Sequence, residues 1–295
     1  MSSNPPSASP SAIHEEIKPH ETVALFPINS FIENLHCDEA GNVFVTNHFE
    51  GTVYKIKPDG DKGIYASTNG KLTGIIKKDP HSFLLNGWDE HEQSTIWLLN
   101  DQQQIIPLLQ PEGALFFNGM ATADHRQYLI CDSYKGCIWK YDAEKNTAII
   151  WIEHPLLSLA APTNTIPAAN GIKIFHDTVF VSNTDKKLLL TIPLNAAPGT
   201  TPDLFLEGQN LDDFAFDKDG TIYATTHIFN SVLRITPSKN ITVIGTAAQG
   251  LTGSTAAAFG ASAQNSDYLY VTTNGGMSWP EAGLEEGKVI RLKIS

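Results

Sequence analysis

The stretch at residues 31–60, FIENLHCDEAGNVFVTNHFEGTVYKIKPDG, decides how this chain folds. A DEAG turn leads into an alternating run, NVFVTN at residues 42–47. A short connection leads to a second run, TVYKIK at residues 52–57, which ends at Pro-Asp-Gly. Turn residues between short runs with a period of two indicate antiparallel strands. Because so small a unit has too little core to be stable alone, it predicts sibling units elsewhere in the chain.

Five further units of the same kind follow. Their equivalent starting residues are separated by 40, 45, 52, 42 and 42 positions. The six starting residues are Glu33, Thr73, Asn118, Asn170, Asp212 and Ser254. Repeats of about 40–50 residues with several short strands are typical of propeller blades, whereas a sandwich shows no internal repeat and a helical solenoid shows a period of 3.6. We therefore predict an all-β, six-bladed β-propeller with four antiparallel strands in each blade.

The beginning of the chain completes this arrangement. Residues 22–28, TVALFPI, form a strand pattern with no partner nearby in sequence. We expect this N-terminal strand to pair with the C-terminal one and close the ring, since closure removes exposed sheet edges. The first twenty residues are rich in Ser, Pro and Ala. We predict a disordered tail at residues 1–20 and a single propeller domain at residues 21–295.

The composition limits the class of protein and the kinds of partner. A hydrophobic content of 41% and a charged content of 18% describe a globular chain, and its net charge of −12 argues against nucleic acid or an anionic membrane as a partner. Cys37, Cys131 and Cys137 are too few for a disulfide framework and are expected to be small buried hydrophobes. No apolar run approaches the roughly 20 residues of a membrane span. We predict a soluble, cytoplasmic monomer or weak dimer that acts on a small molecule.

The residue that starts each unit begins the innermost strand, so the pattern directs it into the central channel. All six are polar, and two of them, Glu33 and Asp212, are carboxylates. Carboxylate and amide oxygens without His or Cys favour calcium or magnesium over zinc. The alternative is that these side chains only hydrogen-bond channel water and backbone, as buried polar groups must.

These features resemble the senescence-marker-protein-30, gluconolactonase and luciferin-regenerating-enzyme family of six-bladed propellers, over nearly the whole chain after the tail. The resemblance rests on AGNVFVTN…GTVYKIKPDG, on KDGTIYATT…SVLRITP, and on Glu, Asn, Asn and Asp at the first, third, fourth and fifth starts. It implies that Glu33, Asn170 and Asp212 bind a metal and that Asn118 completes the site or contacts substrate. The implied cofactor is Ca²⁺, or another divalent cation such as Mg²⁺, Mn²⁺ or Zn²⁺.

Two departures from the family pattern bear on the substrate. Family members tend to have Glu-Gly-Pro at the first site, where this chain has Glu33-Asn34-Leu35. The Arg-x-Asn-Asp motif that holds sugar lactones is replaced by the sequence FFNG at residues 116–119. The metal site is therefore better supported than a sugar-lactone pocket, and the two phenylalanines indicate a more apolar substrate.

Side chains in the turns after the second strands are expected around the same face of the ring. We predict that His48 and His227 are auxiliary acid–base groups, because imidazole titrates near neutrality. Apolar walls with few polar groups are the usual form of a ligand pocket. The predicted substrate contacts are Asn118, Thr73, His48, Trp88, Phe117 and His227.

The function predicted first is a divalent-metal-dependent hydrolase of a lactone or a related ester, with Asp212, or a water that it holds, as the catalytic general base. A second possibility is a cyclase or pericyclase that shapes an apolar intermediate with Phe116, Phe117, Trp88 and Trp279. A third is a binding propeller with a structural metal. The fold alone does not choose among them, because one scaffold hosts many chemistries.

Overall fold

A computed structural model describes residues 14–277 and 283–295 as a ring of six small antiparallel sheets. These residues contain almost no helix: three short 3-10 helices lie in connections, at Pro155–Leu157, His227–Phe229 and Ala247–Gln249. The prediction of an all-β, six-bladed propeller is confirmed. Within the same residues, no helix combines the length and the apolar character needed to cross a bilayer.

Each blade runs outward from the channel in chain order. The strands of the first two blades are β3 (Ile32–Cys37), β4 (Val43–Asn47), β5 (Thr52–Ile56), β6 (Lys62–Ser67), β7 (Lys71–Asp79), β8 (Ser82–Trp88), β9 (Ser94–Leu99) and β10 (Ile105–Leu109). Those of the third and fourth are β11 (Phe117–Thr122), β12 (Gln127–Asp132), β13 (Cys137–Asp142), β14 (Thr147–Glu153), β15 (Ala169–Phe175), β16 (Thr178–Asn183), β17 (Leu188–Pro193) and β18 (Asp203–Glu207). Those of the last two are β19 (Phe214–Phe216), β20 (Ile222–Thr225), β21 (Ser231–Ile235), β22 (Ile241–Thr246), β23 (Ser254–Phe259), β24 (Tyr268–Thr273) and β25 (Glu286–Lys293).

The ring closes through strand β2 (His20–Ile28), which pairs antiparallel with β25 and becomes the outer strand of the sixth blade. Thr22 lies opposite Ile290, and Leu25 lies opposite Lys288. The predicted closing strand is confirmed and begins two residues earlier than the pattern indicated. Strand β25 thus has a partner on both sides, and β2 forms the outer edge of the blade.

Residues 14–20, which the sequence predicted as part of a disordered tail, make defined contacts. Strand β1 (His14–Glu15) pairs in parallel with β22 and adds a fifth strand to the fifth blade. The backbone amides of Glu16 and Lys18 donate to carbonyl oxygens of β22, each at 2.8 Å, and Glu16 also pairs with Arg234 at 3.0 Å. The exposed edge of a sheet offers backbone hydrogen-bond partners to any chain segment that lies beside it. The polar composition of the first twenty residues does not reveal this pairing. Residues 1–13 lie outside the described residues.

The core lies between the blades. The second strands are buried on both faces because a neighbouring blade packs on each side; all five residues of β4 are buried. Six apolar clusters result, each shared by neighbouring blades, so burial stabilises the ring as a whole. The three cysteines are buried and free, as expected, and burial raises the pKa of the Cys37 thiol to about 12.

Candidate active site in the central channel

A β-bulge near the start of five of the six innermost strands places the site residues. In the first blade, the register with β4 shifts between Ile32 and Leu35, so that Glu33 opens the bulge; the innermost strands of the second, third, fourth and sixth blades repeat this position. In the fifth blade Asp212 precedes β19, and its backbone amide donates to the Thr225 carbonyl at 2.9 Å. The equivalent residues are Glu33, Thr73, Asn118, Asn170, Asp212 and Thr255. In the sixth blade the start predicted at Ser254 is wrong by one residue, because the bulge lies between Ser254 and Ala257.

Polar side chains on the second strands hold these positions in place. Each donates to the backbone oxygen of an equivalent residue in the next blade, so neighbouring inner strands are tied together at the depth of the site. The bonds run from Thr46 Oγ1 to Thr73 (3.0 Å), Asn86 Nδ2 to Asn118 (2.9 Å), Ser182 Oγ to Asp212 (2.6 Å) and Thr225 Oγ1 to Thr255 (2.8 Å). Sequence reasoning missed these residues. The signal was a Thr, Asn or Ser at the same point of five of the six second strands, as in VFVTN, FLLNG and VFVSN; the third blade has Cys131 there.

The orientation of the Asn170 amide is fixed by a hydroxyl. Thr184 Oγ1 donates its one hydrogen to the Leu211 carbonyl at 2.7 Å, so it must accept from Asn170 Nδ2 at 3.0 Å. The same Nδ2 also donates to Asp212 Oδ1 at 2.6 Å. Both hydrogens of the amide nitrogen are therefore used, and Oδ1 is the acceptor that Asn170 has left for a ligand.

Asn118 is held in the same way one blade earlier. Ser133 Oγ donates to the Ala169 carbonyl at 2.6 Å and accepts from Asn118 Nδ2 at 3.3 Å. Ser133 and Thr184 occupy equivalent places just after their second strands. The site thus contains two buried amides whose orientations are set by one repeated device, which favours a role for their oxygens.

Asp212 is positioned through both carboxylate oxygens. Asn170 bonds Oδ1, and His227 Nδ1 lies 2.9 Å from Oδ2. His227 Nε2 lies 2.7 Å from Asn274 Nδ2, and Asn274 Oδ1 accepts from the backbone amide of Gly276, so Nε2 is the acceptor and Nδ1 carries the proton. Both ring nitrogens are engaged, so His227 helps to position Asp212, and its acid–base role stays a prediction. Its backbone φ of +35° is strained for a non-glycine residue.

Glu33 brings negative charge that its surroundings do not balance. Its Oε2 atom is buried and has no hydrogen-bond partner among the described residues. Burial, with the nearby carboxylates of Asp212 and Asp213, raises the pKa of Glu33 well above its usual range. Asp213 already has a partner, since Lys173 Nζ lies 2.8 Å from its Oδ2. The remaining excess of negative charge falls on Glu33 and Asp212.

These residues form the floor of a cavity of about 290 Å³ that opens at one end of the channel. Aromatic side chains line its wall. Trp88 and Phe116 stack with ring centres 4.3 Å apart, and Phe116 contacts Tyr134 at 4.9 Å. The lining residues are Phe31, Glu33, His48, Phe49, Trp88, Phe116, Asn118, Tyr134, Thr165, Pro167, Asn170, Asp212 and His227. Trp279, which the sequence suggested as a further wall residue, lies outside the described residues.

Two of the predicted substrate contacts do not line this cavity. Thr73 is fully buried, and its hydroxyl bonds the Phe117 carbonyl at 2.8 Å, so it ties blades together. Phe117 is fully buried against Trp139 in the core, because side chains alternate along a strand and its neighbour Phe116 takes the cavity side. Of the two phenylalanines, Phe116 lines the cavity and the predicted Phe117 does not.

His48 lines the cavity as a neutral ring. Burial lowers the pKa of His48 to about 4. Its Nδ1 is 3.0 Å from the Leu72 carbonyl, which can only accept, so this nitrogen carries the proton. His48 therefore lines the wall as a ring that is neutral near pH 7, and its acid–base role stays a prediction.

The floor fits a hard divalent cation. The described residues contain no cluster of three His, Cys, Asp or Glu side chains that could hold a metal, so a site here depends on amide oxygens as well as carboxylates. The floor offers both: the carboxylates of Glu33 and Asp212 and the oriented amides of Asn170 and Asn118. An oxygen donor set with uncompensated negative charge suits calcium, magnesium or manganese better than zinc.

Comparison with known proteins finds matches among solved structures, at the level of the fold. No protein-family model matches the chain, and no curated protein matches it. A luciferin-regenerating enzyme shares 15% identity at a TM-score of 0.72, covering 94% of this chain and 95% of that one. Regucalcin from Agrobacterium tumefaciens, described as a calcium-binding protein, shares 15% identity at 0.70, covering 94% of each chain. A gluconolactonase from Xanthomonas campestris shares 11% identity at 0.70, covering 94% of this chain and 89% of that one.

The fold and the channel define a class: a six-bladed propeller with a polar-floored pocket at one mouth of the ring. The solved neighbours include the proteins after which the resembled family is called, so the resemblance seen in the sequence is confirmed at the level of the fold. Identities of 11–15% carry the likeness no further than the fold.

Proposed function

We propose that this chain is a divalent-cation-dependent hydrolase of a lactone or related ester, with calcium as the first candidate cation and the channel floor as its active site. One observation carries the proposal. Glu33 Oε2 is buried without a partner beside Asp212, in a floor whose amides present their oxygens. Buried, unpaired negative charge is costly, and a bound cation would offset that cost. The calcium-binding and gluconolactonase neighbours support the same assignment.

Each residue of the floor has a distinct part in this proposal. Glu33, Asn170 and Asp212 would hold the cation, which would supply Lewis-acid polarisation of the scissile carbonyl. Asn118 would orient the substrate. Asp212 would act as general base toward the attacking water, since each of its oxygens keeps a second lone pair after bonding Asn170 and His227. Water adds to the carbonyl carbon, the ring C–O bond breaks, and the proton goes to the departing oxygen, giving a hydroxy acid.

The proposal is tested by hydrolysis of a lactone panel with chelated protein reloaded with Ca²⁺, Mg²⁺, Mn²⁺ or Zn²⁺. Asp212→Asn should lower kcat/KM by about 10²–10⁴-fold, the usual contribution of a general base. Asp219→Asn, on an exposed turn of the same blade, is the matched control and should leave kcat/KM unchanged. Failure of every cation to support hydrolysis, or an unaffected Asp212→Asn variant, would refute the proposal.

A non-hydrolytic cyclase or pericyclase is the second candidate, and the aromatic wall favours it, since such reactions need a shaped apolar pocket more than a base. Turnover of an apolar substrate that survives chelation would support it. A binding propeller with a structural metal would instead gain thermal stability from the cation and turn over nothing.

A further inference from the structure

The cavity is divided into two chemically different regions. The polar floor is formed by Glu33, Asn118, Asn170 and Asp212, while aromatic rings cover the wall contributed by blades one to three. Along this wall the rings are in continuous contact. The centre-to-centre distances are 4.9 Å for Tyr134–Phe116, 4.3 Å for Phe116–Trp88, 6.5 Å for Trp88–His48, 4.8 Å for His48–Phe49 and 5.5 Å for Phe49–Phe31.

The wall has little hydrogen-bonding capacity left for a ligand. The indole Nε1 of Trp88 donates to the Leu115 carbonyl at 2.7 Å, and His48 Nδ1 bonds the Leu72 carbonyl. The phenylalanines have no polar atoms on their side chains. A sugar hydroxyl brought against the indole and phenylalanine faces would lose water and gain no partner, which costs about 1–3 kcal/mol for each group. The polar atoms that the wall still offers are the Tyr134 hydroxyl and His48 Nε2. The wall therefore discriminates against polyhydroxylated ligands.

The outer part of the wall remains accessible. Phe49 is 54% exposed and Tyr134 is 36% exposed, although both belong to the ring contacts described above. Clustered exposed aromatic side chains beside a concave polar site are typical of ligand recognition, since stacking on a ring adds about 0.5–1.5 kcal/mol beyond area burial. The accessible faces would receive a planar or apolar group that extends from the floor toward the channel mouth.

We propose that the substrate is a lactone or ester with a planar, largely apolar arm and few hydroxyl groups, its carbonyl on the floor and its arm against the wall of Phe49, Phe116 and Tyr134. This inference rests on the proposed function for the reaction, but the binding preference does not depend on it.

The test compares two lactones of the same ring size, dihydrocoumarin with an aromatic arm and glucono-δ-lactone with hydroxyls, each corrected for spontaneous hydrolysis. Calorimetric titration of coumarin provides a binding measurement that needs no turnover. We expect kcat/KM to be at least about tenfold higher for dihydrocoumarin, the ratio expected when two or more stranded hydroxyls are avoided.

Phe49→Ser and Tyr134→Ser probe the wall at exposed positions, where substitution leaves the fold intact. Each should weaken coumarin binding and raise KM for dihydrocoumarin by about three- to tenfold, the loss of one aromatic contact. Phe229→Ser is the matched control, since Phe229 is 58% exposed and does not line the cavity.

The outcomes separate the two proposals. Preference for glucono-δ-lactone, or coumarin binding that is absent or indifferent to both wall variants, overturns the substrate class and leaves the hydrolase standing. Coumarin binding that the wall variants weaken, without hydrolysis of either lactone, supports the substrate class and removes the hydrolase.

Discussion

At the scale of single residues, the site depends on hydroxyls that each have one hydrogen to give. Ser133 and Thr184 donate that hydrogen to a backbone carbonyl of the next blade and accept from an asparagine. The amide oxygens of Asn118 and Asn170 are thereby the groups left for a ligand. The hydroxyls of Ser133 and Thr184 therefore determine that a ligand meets the oxygen, and not the nitrogen, of each asparagine amide.

Thr184→Val tests this device, because valine keeps the shape of threonine and lacks the hydroxyl. It should lower the free energy of unfolding by about 1–2 kcal/mol, since the Leu211 carbonyl and Asn170 Nδ2 each lose a partner. It should also weaken cation binding by about tenfold, the usual cost of losing an outer partner of a metal ligand. Thr184→Ser keeps the hydroxyl and should match the wild type in both measurements, by urea unfolding and calorimetric titration.

Equal cation affinity in Thr184→Val and Thr184→Ser would contradict the orienting role. A loss of stability alone would then assign Thr184 to joining the blades, with no influence on the site.

At the scale of strands, the two N-terminal segments contribute differently to the ring. Strand β2 completes the sixth blade through pairing along its whole length with β25. Strand β1 adds a short edge to the fifth blade through two paired residues. Strand β2 therefore closes the propeller, whereas β1 only covers the outer edge of the fifth blade.

Truncation distinguishes these contributions. Removal of residues 1–17 should lower the free energy of unfolding by about 1–3 kcal/mol, since it removes a few backbone hydrogen bonds and the Glu16–Arg234 pair. Removal of residues 1–28 should abolish cooperative thermal unfolding, because the sixth blade loses its outer strand. If the two truncated chains melt alike, β2 does not close the ring.

Strand positions were predictable where the pattern is local. Alternation and turn residues predicted strands at residues 42–47 and 52–57, and the structure has Val43–Asn47 and Thr52–Ile56. The inner bulge was not predictable, because a register shift leaves no mark in composition, and the sixth start was therefore misplaced at Ser254. The sequence also could not tell which of Phe116 and Phe117 faces the cavity, since both are apolar and alternation alone does not say which of two neighbours points inward.

At the scale of the whole molecule, ring closure brings together residues far apart in sequence. Glu33 and Asp212 are 179 positions apart and meet on one floor because each lies at the inner side of its blade, Glu33 in β3 and Asp212 just before β19. The repeat explains why most of the floor was predictable, since a polar residue recurs at the same point of every unit. The hydrogen bonds between blades could not be predicted from the repeat, because each joins a side chain of one unit to the backbone of the next.

Calorimetric titration of calcium into metal-free protein tests the central claim most directly, with Glu33→Gln and the exposed Glu39→Gln of the same blade as the matched pair. One calcium should bind the wild type and Glu39→Gln with equal affinity, and Glu33→Gln should bind at least about tenfold more weakly, because it removes one carboxylate ligand. Absence of binding to the wild type by calcium, magnesium and manganese, or equal affinity in Glu33→Gln, would contradict a cation site on the channel floor.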